Sequence, residues 1–180
     1  MDEIVKQAMA KWPNVPDCYG WLGLDVRGNW YMRDDRVQSL GSFGAGPRAA
    51  KGSLLTHEKL IGFIHRNYGP DPDGQWYFQN GPQRVYVELE LTPWIWRLQS
   101  DCTVQSHTGQ STLANTCLVD ELGWVYLVTA LGIGLVHTQD VALAEQALSD
   151  GNWGLTPIQR KDLPRQFCYV QSPQSRLNSL

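Results

Sequence analysis

Asp71-Pro-Asp-Gly74-Gln-Trp76-Tyr77 sets an aspartate three residues ahead of a glycine, with Trp and Tyr directly behind. Asp suits the first position of a type I turn and Gly the fourth, where φ is positive, so the stretch reads as a hairpin corner launching an aromatic strand. Two further stretches repeat it: Asp25-Val-Arg-Gly28-Asn-Trp30-Tyr31 and Asp120-Glu-Leu-Gly123-Trp124-Val-Tyr126. The third differs in that Trp follows the glycine directly and so points to the opposite sheet face. The corners are those of a repeated turn, as either an old domain duplication or the plain coincidence of hairpin chemistry would leave. A solenoid or propeller does not follow, because one gap between corners carries a helix pattern and the other carries strands.

Around the first corner, residues 19–24 and 29–33 pair as a hairpin. Upstream, Ile4, Val5, Ala8 and Met9 recur at helical spacing over about the first eleven residues, until Pro13 and Pro16 end the pattern. Residues 41–53 are rich in Gly, Ala and Ser without periodicity, which predicts a mobile loop. Thr56 is placed to cap a helix over 57–68, where Leu60, Ile61, Phe63, Ile64 and Tyr68 form an apolar stripe before Gly69-Pro70 stops it.

Beyond the second corner the chain reads as strands at 75–79, 83–91, 94–98, 102–107, 113–119, 124–129 and 133–137. In the second of these, Val85, Val87, Leu89 and Leu91 are expected inward and Arg84, Tyr86, Glu88 and Glu90 outward. A helix near 139–150 ends at Gly151, and an extended C-terminal tail follows, broken by Pro157, Pro164 and Pro173. The fold class is α+β: a helix plus β-β-α domain over residues 1–69, then an antiparallel β domain over 70–180. Seven strands followed by one amphipathic helix is the element order of a pleckstrin-homology-like domain.

Composition narrows the function. The 180 residues are long enough to bury roughly 70% of the unfolded surface. At 42% hydrophobic and 18% charged, with eight Trp, the chain is an ordinary globular one. A net charge of −3 argues against nonspecific nucleic-acid binding, which needs clustered Lys and Arg. No stretch is long and apolar enough for a membrane span, and no leader is visible. The four cysteines lack a C-x-x-C pair and read as reduced thiols of a cytoplasmic protein.

Searches for chemistry find little. The four histidines lack metal-ligand spacing, so neither a metal nor a cofactor is expected. Gly46-Pro-Arg-Ala-Ala-Lys51-Gly52-Ser53 reverses the Gly-Lys order that a phosphate loop requires. Glu88 and Glu90 share a strand face, where an exposed edge explains them better than an acid-base pair. The best binding candidate is Arg66, Asn67 and Tyr68 at a helix end with Gln79, Asn80, Gln83, Arg84 and Tyr86 across a turn. Converging guanidiniums, amides and aromatic faces suit a planar anionic ligand, while the same groups can instead tie loop backbone together.

Gly20-Trp-Leu-Gly-Leu-Asp25-Val-Arg-Gly28-Asn-Trp30-Tyr31, the helix, Asp73-Gly74-Gln-Trp76-Tyr77, Arg84-Val-Tyr-Val-Glu88 and Thr92-Pro93-Trp94 together resemble an uncharacterised proteobacterial group, domain-of-unknown-function family 1285, or a sister of it. The likeness spans about residues 18–98. It implies a small β-β-α domain before a larger one similar to pleckstrin-homology folds, with a nucleotide-like ligand between them in signalling. It implies no catalytic residues. The leading expectation is thus a small-ligand module binding an anionic or nucleotide-like molecule in the groove between the halves. The alternative is a protein-interaction or assembly module using Trp94 and Trp96 as exposed aromatics, and an enzyme of unknown class comes third.

Overall fold

A computed structural model describes residues 1–99 and 101–177. Its three corners show why Asp and Gly recur. The Asp71 carbonyl accepts from Gly74 N–H at 3.1 Å, while its carboxylate accepts from the N–H groups of Asp73 and Gln75, both at 2.9 Å. Asp120 repeats this with Gly123, Leu122 and Trp124 at 3.0, 2.9 and 2.8 Å. Asp25 accepts from Asn29 N–H at 2.8 Å. Gly28, Gly74 and Gly123 hold φ of 82°, 77° and 81°, left-handed values that only glycine adopts freely. Each corner aspartate also bonds a tyrosine: Tyr86 donates to Asp71, Tyr126 to Asp120, and Tyr31 bonds Asp25.

In chain order the elements are α1 (Glu3–Lys11), β1 (Cys18–Leu24), β2 (Trp30–Met32), α2 (Asp35–Gln38), β3 (Ser53–Leu54), α3 (Glu58–Arg66), β4 (Tyr68–Pro70), β5 (Trp76–Asn80), β6 (Gln83–Leu89), β7 (Trp94–Leu98), β8 (Val104–Ser106), β9 (Ser111–Thr112), β10 (Ala114–Val119), β11 (Val125–Thr129), β12 (Gly132–Val136), α4 (Val141–Ser149), β13 (Leu155–Pro157), α5 (Leu163–Gln166) and α6 (Pro173–Leu177). The fold is α+β. The first compact unit comprises residues 1–25, 29–91 and 169–180, and the second comprises 26–28 and 92–168. A division at 69/70 falls inside β4, which pairs with β5 in register Tyr68↔Phe78 to Pro70↔Trp76 within one sheet.

The first unit is built on a six-stranded sheet in the order β3-β2-β1-β6-β5-β4. The tryptophans of its two corners converge on one tyrosine: Tyr68 meets Trp30 edge-on at 5.2 Å and Trp76 at 4.9 Å. β6 is a central strand, parallel to β1 and antiparallel to β5, so both its faces are covered. Tyr86 and Glu88, expected outward, are therefore buried.

Residues 41–53, expected to be mobile, are pinned by Arg33. Fully buried, its guanidinium donates to the carbonyls of Ala50, Gly20 and Gly41 at 2.8, 3.2 and 2.6 Å. Phe43 is buried against Gly23, where a Cβ would lie 2.5 Å from its ring. The cap of α3 is His57, whose Nδ1 accepts from Leu60 N–H, not the expected Thr56. The C-terminal stretch is likewise more than an extended tail. Gln171 O accepts from Leu89 N–H at 2.8 Å, and Glu88 accepts from Ser172 Oγ at 2.5 Å and Gln174 N–H at 3.0 Å.

The second unit holds a seven-stranded sheet, β13-β10-β11-β12-β7-β8-β9. It is mixed where an antiparallel sheet was expected, since β12 runs parallel to β7 and β13 parallel to β10. The second pairing arises because the chain returns to the sheet after α4. Trp94 and Trp96, stacked at 5.8 Å, are buried and donate their indole N–H groups to Leu131 and Leu127 carbonyls. They cannot offer the exposed aromatic surface expected of them. Gly134 makes room, because a Cβ there would lie 2.4 Å from Trp96.

Candidate functional site

Eight residues were expected to form a site, and all lie in the first unit, where the fold sorts them into different tasks. Arg66 donates to both Asp2 carboxylate oxygens at 3.2 Å, and Asn67 Oδ1 accepts from Asp2 N–H at 2.8 Å. Those two fasten the start of α1 to the end of α3. Tyr68 is a core ring whose burial holds its hydroxyl well above the usual phenol range. Asn80 borders an apolar pocket of about 230 Å³ that includes Trp21, Leu60 and Phe78. None of these four is poised for an anion.

Gln79, Arg84 and Tyr86 do share a face. Antiparallel register sets Gln79 opposite Arg84 and Tyr77 opposite Tyr86, which puts those four side chains on one side of the sheet, while Gln83, opposite Asn80, belongs to the other. Gln83 Nε2 donates to Pro16 O at 3.0 Å, tying the β5–β6 turn to the segment after α1. Between turn and segment lies a cleft of about 570 Å³. Its walls include Met9, Trp12, Asn14, Asp17, Gln79 and Arg84.

Arg84 is held ready at this wall. Its guanidinium lies 5.1 Å from the Tyr77 ring centre, and its hydrogen bond with Tyr86 raises its pKa further. Tyr86 is fixed in turn by donating to Asp71 at 3.0 Å and by stacking on Tyr19 at 4.5 Å. Burial first, then the bond to Asp71, push the Tyr86 hydroxyl far above its ordinary value, so it remains a protonated donor. On the facing wall Trp12 is half exposed, with Lys11 Nζ 4.5 Å from its ring centre.

Gln79 is the anomaly. It is 0% exposed, its Nε2 donates to Gly81 O at 3.0 Å, and its Oε1 has no hydrogen-bond partner among the described residues. The bond to a carbonyl fixes which terminal atom is nitrogen. An acceptor kept from water and from donors costs about 1–3 kcal/mol.

Sequence reading missed Trp12, Asn14 and Asp17. Pro13 and Pro16 were the available signal, since they force an irregular segment directly after an amphipathic helix.

Other candidate groups are occupied structurally. Glu90 pairs with Lys51 at 2.6 Å and Glu88 holds the C-terminal helix, so the two carboxylates form no acid-base pair. Burial raises the Glu88 pKa despite bonds from Ser172 and Gln174. His65 accepts the Trp30 indole N–H at 2.9 Å, and burial lowers its pKa. Among the described residues, no group of three or more His, Cys, Asp or Glu could hold a metal, and no helix is long and apolar enough to cross a membrane.

Residues 1–174 match the model of family DUF2944, described as "Protein of unknown function (DUF2946)". The chain belongs to this family. No curated protein matches this DUF2944 chain. A crystal structure of a DUF1285 family protein from Silicibacter pomeroyi DSS-3 is similar to it at 13% identity, with a TM-score of 0.48, covering 81% of this chain and 84% of that one. The resemblance read from sequence named DUF1285, and the family model matched is that of DUF2944.

Proposed function

We propose that this chain is a small-ligand-binding module whose site is the cleft walled by Trp12, Asn14, Asp17, Gln79 and Arg84, and whose ligand carries an anionic group. The observation that carries the reading is the Arg84 guanidinium on the wall of that cleft, held by Tyr77 and Tyr86 and with no ion pair shorter than 4.0 Å to a described residue. A guanidinium fixed by aromatic and hydroxyl contacts loses little side-chain freedom when it grips an anion.

The cleft holds no nucleophile-base pair, which favours binding over turnover, and a domain that binds without reacting suits a sensing role in signalling. We assign it to the cytoplasm, in keeping with its four free cysteines.

A thermal-shift panel of carboxylates, phosphates and nucleotides tests this reading. At least one compound should raise the Tm of the wild type. Arg84→Ala should abolish that shift and lower the unliganded Tm only modestly, because half-buried Arg84 gives up its contacts with Tyr77 and Tyr86 but no ion pair shorter than 4.0 Å with a described residue. A flat panel, or equal shifts in both proteins, would contradict it.

A further inference from the structure

Two of the corner aspartates treat the arginine beside them differently. Asp120 Oδ2 accepts the Tyr126 hydroxyl at 2.7 Å and the Arg160 Nε–H at 2.8 Å, and Arg160 lies 4.8 Å from the centre of the Trp124 ring. That guanidinium is spent, because its charge meets the corner carboxylate directly. Asp71 Oδ2 accepts the Tyr86 hydroxyl at 3.0 Å, but its second donor is the neutral Gln75 amide at 3.2 Å. Gln75 follows its corner aspartate by four residues, as Trp124 does, and Trp124 brings no amide.

Arg84 is thereby kept off the corner carboxylate. It shares a strand face with Tyr86, lies 5.1 Å from the Tyr77 ring centre and bonds the Tyr86 hydroxyl. The exposed Asp17 acts on it only from beyond ion-pair distance. The Tyr86 oxygen accepts from Arg84 while its proton goes to Asp71, so the bonds run in one direction from guanidinium to carboxylate. Both anchors are rigid: Asp71 accepts the Asp73 and Gln75 N–H groups at 2.9 Å, and the Tyr86 ring stacks on Tyr19 at 4.5 Å.

We propose that Tyr86 and Asp71 are positioning residues of the cleft, through which the second corner aims the Arg84 guanidinium at an incoming anion, while the same device at Asp120 closes on its arginine as a structural brace. The inference rests on the ligand-binding reading of the cleft. A fixed guanidinium with no carboxylate partner grips a carboxylate or phosphate without first breaking an ion pair. Arg160 would have to give up Asp120 to do the same.

A matched pair of hydroxyl deletions tests this. Tyr86→Phe and Tyr126→Phe each take one hydroxyl from a buried ring beside a corner aspartate and an arginine, so a merely structural role predicts the same behaviour for both. Binding of benzoate, inorganic phosphate and AMP is measured by calorimetry, and nitrogen-15 relaxation of the Arg84 Nε–H reports how firmly the guanidinium is held in the free proteins. At least one probe should bind the wild type. Tyr86→Phe should weaken that probe about 10-fold and mobilise the Arg84 Nε–H, whereas Tyr126→Phe should lower the Tm and leave affinity within about 2-fold of wild type.

If Tyr86→Phe does not fold, Asp71→Asn serves, because Asn also suits the first turn position but accepts more weakly from Tyr86; it should weaken the same probe at least about 3-fold. Affinity unchanged in Tyr86→Phe, or weakened equally by Tyr126→Phe, overturns the positioning role and leaves the ligand-binding reading standing as long as Arg84→Ala abolishes binding. A wild type that binds none of the three probes overturns both.

Discussion

Replacing Asp120 with alanine tests whether the repeated corners are built around their aspartates. The Asp120 side chain is fully shielded and receives four donors: Leu122 N–H at 2.9 Å, Trp124 N–H at 2.8 Å, the Tyr126 hydroxyl at 2.7 Å and Arg160 Nε at 2.8 Å. Leu122 is exposed and Trp124 half exposed, so their amides regain water in the variant. Arg160 is partly exposed and rehydrates in part, keeping its loss below the figure for a fully buried pair. Tyr126 is fully buried, and its hydroxyl is left with no acceptor, which costs about 1–3 kcal/mol by itself. The sum is about 3–4 kcal/mol. Urea unfolding followed by near-ultraviolet circular dichroism reads it. Adding Tyr126→Phe to Asp120→Ala should recover about 1 kcal/mol, because the stranded hydroxyl is gone. A loss under about 1 kcal/mol, or no recovery in the double variant, would refute the corner as described.

Four further outcomes are expected. Burial would raise the Asp120 and Asp140 carboxyls, but the bonds from Tyr126, Trp124 and Arg160, and from Arg97 and Leu98, outweigh it and hold both below their ordinary value. Folded pKa values depressed in this way supply stability above the unfolded value of about 3.9 and lose it as pH falls further, so urea midpoints should drop below about pH 4. Glu88 has the opposite sign, since its raised folded pKa makes unfolding harder as pH falls towards the unfolded value of about 4.3; Glu88→Gln should remove that component from the midpoint-versus-pH curve. Gly123→Ala meets no atom within 4 Å and should cost about 1–2 kcal/mol from φ alone, whereas Gly28→Ala should cost more because its Cβ would lie 2.9 Å from His107 Cβ. Arg33→Met strips three carbonyls of their donor, so hydrogen exchange across residues 41–53 should accelerate and stability fall by about 3 kcal/mol.

Local rules explain what the sequence made legible. Asp-x-x-Gly sets the corners within four residues, and an i, i+3, i+4 apolar stripe marks α3, so both could be read without knowing any partner. What stayed hidden depends on distant pairings. Nothing near Glu88 indicates that Ser172 and Gln174 return to it, and without them β6 reads as an edge strand with an outward carboxylate. Arg33 similarly orders a glycine-rich loop through backbone carbonyls, which leave no trace in residue identity. Of the candidate residues, Gln79, Arg84 and Tyr86 could be placed on one sheet face because hairpin register aligns them. Arg66 and Asn67 were misjudged because Asp2, their partner, lies more than sixty positions away.

Nitrogen-15 NMR of the Gln79 side-chain amide and the Arg84 Nε–H, followed as a hit from the thermal-shift panel is titrated in, is the most direct test of the cleft. Shifts concentrated at Gln79, Arg84 and the Trp12 indole, absent in Arg84→Ala, are the predicted result. Binding that leaves those three signals in place and moves resonances elsewhere would contradict it.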